Sequence, residues 1–120
     1  MEQPVQKGKE PFNTMVFPVG PSCNLNCEYC NYLEKTSLYQ DTGSFKMSYE
    51  LLDEFTRQYI EAQPGPVISF CWQGGEPVLR GLDFFKKAVE LQEKYLPSGW
   101  QLQNNLQTNA TLLDEEWCRF

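Results

Sequence analysis

Three β-compatible runs alternating with helical patterns constrain the fold more than any other feature of this chain. Asn13 to Phe17 is a short β-compatible run closed by Pro18. Val67 to Trp72 is a compact apolar strand, ended by the turn that Gly74-Gly75 imposes. Trp100 to Thr108 reads as a third strand, although Asn104 and Asn105 are poor strand formers. Ser48 is placed to cap a helix through Ala62, with Leu51, Leu52, Phe55 and Tyr59 at helical spacing and Pro64-Gly65-Pro66 stopping it. Leu82 to Tyr95 forms a second helix through Phe84, Phe85, Ala88, Leu91 and Tyr95, and Asp114-Glu115-Glu116 suits the first turn of a third. Successive strand-helix units predict an α/β fold with parallel strands and right-handed crossovers. In such a fold the loops after the strands share one edge and carry the chemistry.

The loop after the first strand reads Cys23-Asn24-Leu25-Asn26-Cys27-Glu28-Tyr29-Cys30. Thiolates are soft ligands that select iron-sulfur clusters, zinc or copper(I). Cys23, Cys27 and Cys30 at this spacing suit one cluster and leave one iron without a protein ligand, open to a substrate or cofactor. A zinc module, with Cys71 or Cys118 as fourth ligand, is the alternative from the same residues. The chain has no histidine and no second cysteine knuckle, which favours the cluster on spacing. Five cysteines is an odd number and nothing marks the chain as secreted, so the thiols are read as reduced and intracellular.

At 120 residues and 41% hydrophobic content the chain suits one globular domain with a modest core. Ten basic against sixteen acidic residues give a net charge of −6, which argues against a nucleic-acid backbone or an anionic membrane as partner. Residues Met1 to Phe12 form a polar segment without the apolar run of a signal peptide, and no stretch approaches the roughly 20 apolar residues of a membrane span. A cytoplasmic location is expected.

Beyond the cysteines stand Pro18-Val19-Gly20-Pro21, Asn31-Tyr32-Leu33-Glu34-Lys35, Trp72-Gln73-Gly74-Gly75-Glu76-Pro77 and Leu106-Gln107-Thr108-Asn109-Ala110-Thr111-Leu112-Leu113. With these flanks the chain resembles the radical S-adenosylmethionine (radical SAM) enzymes, and among them the anaerobic sulfatase-maturating enzymes, from about Phe12 to its end. The resemblance implies an incomplete (βα)6 barrel. Residues 13–120 would be the truncated first half of that core, its last strand left with an unpaired edge, and residues 1–12 a polar N-terminal segment.

It further implies a 4Fe-4S cluster on Cys23, Cys27 and Cys30, whose fourth iron takes the amino and carboxylate groups of S-adenosyl-L-methionine. Cleavage of that cofactor would release a 5′-deoxyadenosyl radical. Gly74, Gly75 and Glu76 would bind the cofactor's amino-acid end, the glycines allowing close backbone approach and Glu76 offering a carboxylate or backbone carbonyl to the ammonium. A side chain at position 75 is accordingly expected to weaken cofactor binding and spare the cluster. Tyr29 would shield the cluster or touch the cofactor, and Thr108 and Asn109 would contact cofactor or substrate. Tyr32 and Gln73 match positions that hold the target peptide. Each has a plainer counterpart: a strand-to-helix turn at Gly74-Gly75-Glu76, simple packing at Tyr29, an Asx-type turn at Asn109.

The implied activity is oxygen-independent oxidation of a Cys or Ser of a sulfatase polypeptide to Cα-formylglycine, with a reducing electron donor protein as second partner. The general base and two auxiliary clusters are expected beyond Phe120. No catalytic residue is therefore assigned within these residues, and they are expected to be inactive alone. The family pattern carries Gly where Ala110 stands, while Cys71 and Cys118 match no cluster ligand and read as small apolar residues. Another peptide-modifying radical SAM maturase, or a zinc-binding structural module, are the alternative functions.

Overall fold

The computed structural model describes residues 4–30 and 45–120, which build an α/β fold on an open three-stranded sheet. The strands are β1 (Met15–Val16), β2 (Val67–Trp72) and β3 (Gln101–Leu106), in that spatial order and parallel throughout. Helix α1 (Tyr49–Ala62) connects β1 to β2, and α2 (Leu82–Tyr95) connects β2 to β3. A five-residue helix, α3 (Glu115–Arg119), follows β3. Among the described residues no helix is long and apolar enough to cross a membrane.

The helices form where local chemistry favours them. The Ser48 hydroxyl accepts the Leu51 N–H at 3.1 Å and satisfies one of the orphan donors of α1. Asp114 caps α3 in the same way, accepting the Trp117 N–H at 3.1 Å, so Asp114 stands just before the helix and Glu115 and Glu116 supply its acidic first turn. A 3-10 turn over Pro77–Arg80, absent from the periodicity reading, precedes α2. It starts where Glu76 caps it by accepting the Val78 N–H at 2.9 Å.

Alternate residues of β2, Ile68, Phe70 and Trp72, are buried against the helices, where they meet Leu52, Tyr59 and Ile60 of α1 and Phe84, Phe85, Ala88 and Leu91 of α2. Tyr59 and Phe70 meet edge to face at 5.0 Å between centroids, as do Trp72 and Phe85 at 5.4 Å. Burying each such side chain contributes roughly 1.5–3 kcal/mol. Residues before β1 are fastened to the end of α1: the Gly8 N–H donates to the Ala62 carbonyl at 2.7 Å, and the buried Gln63 amide donates to the Phe12 carbonyl at 2.9 Å.

Register fixes the functional edge. Val16 lies beside Trp72, and Trp72 beside Leu106, so the three strands end level and their following loops emerge together. Backbone pairing runs slightly past the strand ends, from the Gln73 N–H to Val16 and from the Gln107 N–H to Trp72.

Candidate functional site

The first of the three loops carries the thiols. A turn closed by the Cys30 N–H on the Cys27 carbonyl, at 3.1 Å, sets those two residues close together, while Cys23 Sγ accepts the Leu25 N–H at 3.4 Å. All three cysteines line one open cavity of about 310 Å³, together with Leu25, Tyr29, Gly74, Gly75, Gln107, Thr108 and Asn109. Tyr29 is 88% exposed at its rim. Among the described residues the cysteines form no disulfide, and no three His, Cys, Asp or Glu side chains converge on a point the size of a single ion. Cys71 sits half-buried on β2 and Cys118 lines a separate apolar cavity, so neither completes the thiol set.

The Gly-Gly-Glu loop presses on the entry to the cysteine loop. Gly75 donates its N–H to the Gly20 carbonyl at 3.0 Å, and Glu76 to the Ser22 carbonyl at 2.7 Å. Gly74 adopts φ +107°, and a Cβ there would stand 2.6 Å from the Gly20 oxygen. The two glycines thus leave their backbone bare on the cavity wall beside the thiols.

Glu76 lies behind that wall, 1% exposed. Besides Val78, its carboxylate accepts the Thr108 hydroxyl at 2.8 Å and the Asn109 N–H at 2.6 Å. A buried carboxylate needs such donors, and here they come from its own turn and from the loop after β3. Glu76 therefore welds two of the three loops together. A further set of contacts joins the third: the Asn109 side chain donates to Asn24 Oδ1 at 3.0 Å, and Asn24 donates to Thr111 Oγ1 at 2.9 Å.

Of the residues singled out in the sequence, Cys23, Cys27, Cys30, Tyr29, Gly74, Gly75, Thr108 and Asn109 meet at one cavity. Gln73 is turned elsewhere, its amide donating to Cys71 Sγ at 3.0 Å. Tyr32 lies outside the described residues. Sequence reasoning gave no role to Asn24 and Thr111, although a short polar side chain beside a candidate ligand is the type that ties loops together. Ala110 keeps a left-handed backbone, φ +64°, at the turn after β3.

The donor set suits the implied groups. Three thiols lining one cavity match a thiolate-bound cluster, and Gly74 and Gly75, which line the same cavity, bring no side chain to it.

Known proteins are similar to this chain in sequence and fold. A serine-type anaerobic sulfatase-maturating enzyme of Bacteroides thetaiotaomicron is 51% identical over 111 residues, covering 92% of this chain and 27% of that protein. A cysteine-type anaerobic sulfatase-maturating enzyme of Clostridium perfringens is 36% identical over 110 residues, covering 92% of this chain and 30% of its own length. The chain thus spans between a quarter and a third of these curated relatives. The solved structure of native anSMEcpe with bound AdoMet and Cp18Cys peptide superposes with a TM-score of 0.76 at 39% identity, over 92% of this chain and 28% of that one. Residues 17–120, from the entry of the thiol loop through both partner loops, match the pattern of the Radical SAM superfamily, and the chain belongs to that family.

Proposed function

We propose that this chain forms the cluster- and cofactor-binding part of an anaerobic sulfatase-maturating enzyme, which oxidises a Ser or Cys of a sulfatase polypeptide to Cα-formylglycine. One observation carries this: Cys23, Cys27 and Cys30 share a cavity with Gly74, Gly75, Thr108 and Asn109 at the C-terminal edge of a parallel sheet. Family membership and the sulfatase-maturating relatives support it. The serine-type relatives, at 51% and 48% identity against 36% for a cysteine-type one, favour Ser as the target.

In this reading Cys23, Cys27 and Cys30 hold three irons of a 4Fe-4S cluster. Gly74 and Gly75 seat the amino-acid end of S-adenosylmethionine, while Glu76 holds their turn in shape from behind. Tyr29, exposed at the cavity rim, shields the cluster or touches the cofactor. Tyr32 and Gln73 bear on the peptide, Gln73 after turning its amide away from Cys71. When bound, the cluster and cofactor supply hydrogen abstraction through a 5′-deoxyadenosyl radical, with the electron drawn from a reducing donor protein.

The test has two tiers. Anaerobic reconstitution with iron and sulfide, then titration with S-adenosylmethionine, should give a loaded, cofactor-binding protein whose iron is lost when all three cysteines are changed to Ala. Iron content unaffected by that triple change would overturn the cluster assignment. The full-length protein, reduced with S-adenosylmethionine and sulfatase-derived Ser and Cys peptides, should yield 5′-deoxyadenosine and a formylglycine mass shift. 5′-Deoxyadenosine beside an unchanged peptide would move the substrate to another polypeptide.

A further inference from the structure

Asn109 wires the loop after β3 to the thiol loop. Its Oδ1 accepts the Thr111 backbone N–H at 3.0 Å and the Thr111 hydroxyl at 2.8 Å. A backbone N–H can only donate, so this pairing fixes which way the side-chain amide is turned. Its NH2 group consequently faces the thiol loop, where it donates to Asn24 Oδ1 at 3.0 Å and to Cys23 Sγ at 3.8 Å. On its other side the Asn109 backbone is gripped by the buried Glu76 carboxylate. Asn109 is thus held from both ends with a donor aimed at one candidate cluster ligand.

We infer that Asn109 is a positioning residue for the Cys23 sulfur, and that its amide raises the reduction potential of a cluster bound there. The inference rests on the cluster reading given above. A reduced cluster carries one more negative charge than the oxidised form, and N–H donors on its thiolate ligands stabilise that charge. Hydrogen bonds to the sulfurs are accordingly among the levers that set cluster potentials. The Leu25 N–H supplies one donor to Cys23 from the backbone, and Asn109 adds another from a side chain that substitution can remove.

The experiment is a redox titration of anaerobically reconstituted protein, followed by the electron paramagnetic resonance signal of the reduced cluster, for wild type, Asn109→Leu and Asn109→Asp. Both variants should fold by circular dichroism, take up wild-type amounts of iron and titrate at a more negative midpoint. Asp should move it further, because it adds a charge as well as removing the donor. A wild-type midpoint in fully loaded Asn109→Leu overturns the role of Asn109 and leaves the cluster assignment standing. Failure of both variants to fold or to take up iron would make Asn109 a scaffold residue and overturn the inference equally. Wild-type protein that takes up no iron would defeat the cluster assignment itself, and this inference with it.

Discussion

A Cβ on Gly75 would lie 2.0 Å from the carbonyl oxygen of Ser22, next to the first cysteine of the thiol loop. The opposing atoms are backbone, including the Pro21 carbonyl at 2.4 Å, so neither side can swing away as a flexible side chain would. Gly75 is thus a seat for the cysteine loop, besides the cofactor contact proposed for it.

Gly75→Ala should therefore damage iron loading as well as S-adenosylmethionine binding, which departs from the sequence-based expectation that the cluster would be spared. Overpacking of this kind costs about 1–3 kcal/mol. Iron and sulfide assays on the reconstituted variant check it, and full iron loading with weakened cofactor binding would restore the narrower role.

Glu76→Gln keeps the shape of the side chain and removes its capacity to accept on both ends. Val78 N–H, Thr108 O–H and Asn109 N–H all donate to it, and an amide would turn its own NH2 toward at least one of them. A buried donor left unsatisfied costs about 1–3 kcal/mol. Denaturant unfolding should register that loss.

Tyr59 joins the core to the chain before β1, its hydroxyl donating to the Ser69 carbonyl at 2.7 Å and lying 3.1 Å from the Phe12 carbonyl, which shares that single donor. Tyr59→Phe should cost about 1 kcal/mol at neutral pH. Burial pushes the Tyr59 hydroxyl above the ordinary tyrosine range. The folded state thus holds this proton more tightly than the unfolded chain. Its contribution is complete below about pH 10, the unfolded value, and fades as pH rises through the higher folded value. The stability gap between wild type and Tyr59→Phe should narrow in that alkaline window, and a constant gap would contradict the burial argument.

Ala110→Gly should stabilise. A Cβ in the left-handed region costs about 1–2 kcal/mol, offset by the roughly 0.5–1 kcal/mol that glycine loses in chain entropy. The net gain is about 0.5–1 kcal/mol, readable as a raised melting temperature, and iron loading should not change.

The elements of this fold were legible because their signals are local. Ser48, Pro64 and the apolar spacing from Leu51 to Tyr59 bounded α1, and the run from Val67 to Trp72 was apolar enough to read as a buried strand. Strand ends were less legible: β1 was expected over Asn13 to Phe17 and is paired only at Met15–Val16, opposite Cys71 and Trp72 of β2. Asn104 looked out of place in a strand. Its reason is tertiary, because it accepts the Trp72 indole N–H at 2.9 Å and exchanges hydrogen bonds with the buried Gln92 amide. The thiols and the glycines could be picked out by residue type and spacing. The inward engagement of Glu76 could not, since it depends on where the loop after β3 comes to rest.

The brevity of β1 has a practical corollary for anyone wishing to transplant this cysteine loop. A strand of two residues is a weak foundation, and the loop it launches is braced chiefly from the side, at Gly20 and Ser22 by Gly75 and Glu76 and at Asn24 by Asn109. Grafting residues 23–30 into another scaffold would move the thiols without their buttress. The smallest portable unit is discontinuous: residues 17–30 together with 73–76 and 108–111, carried on strands cut to equal height.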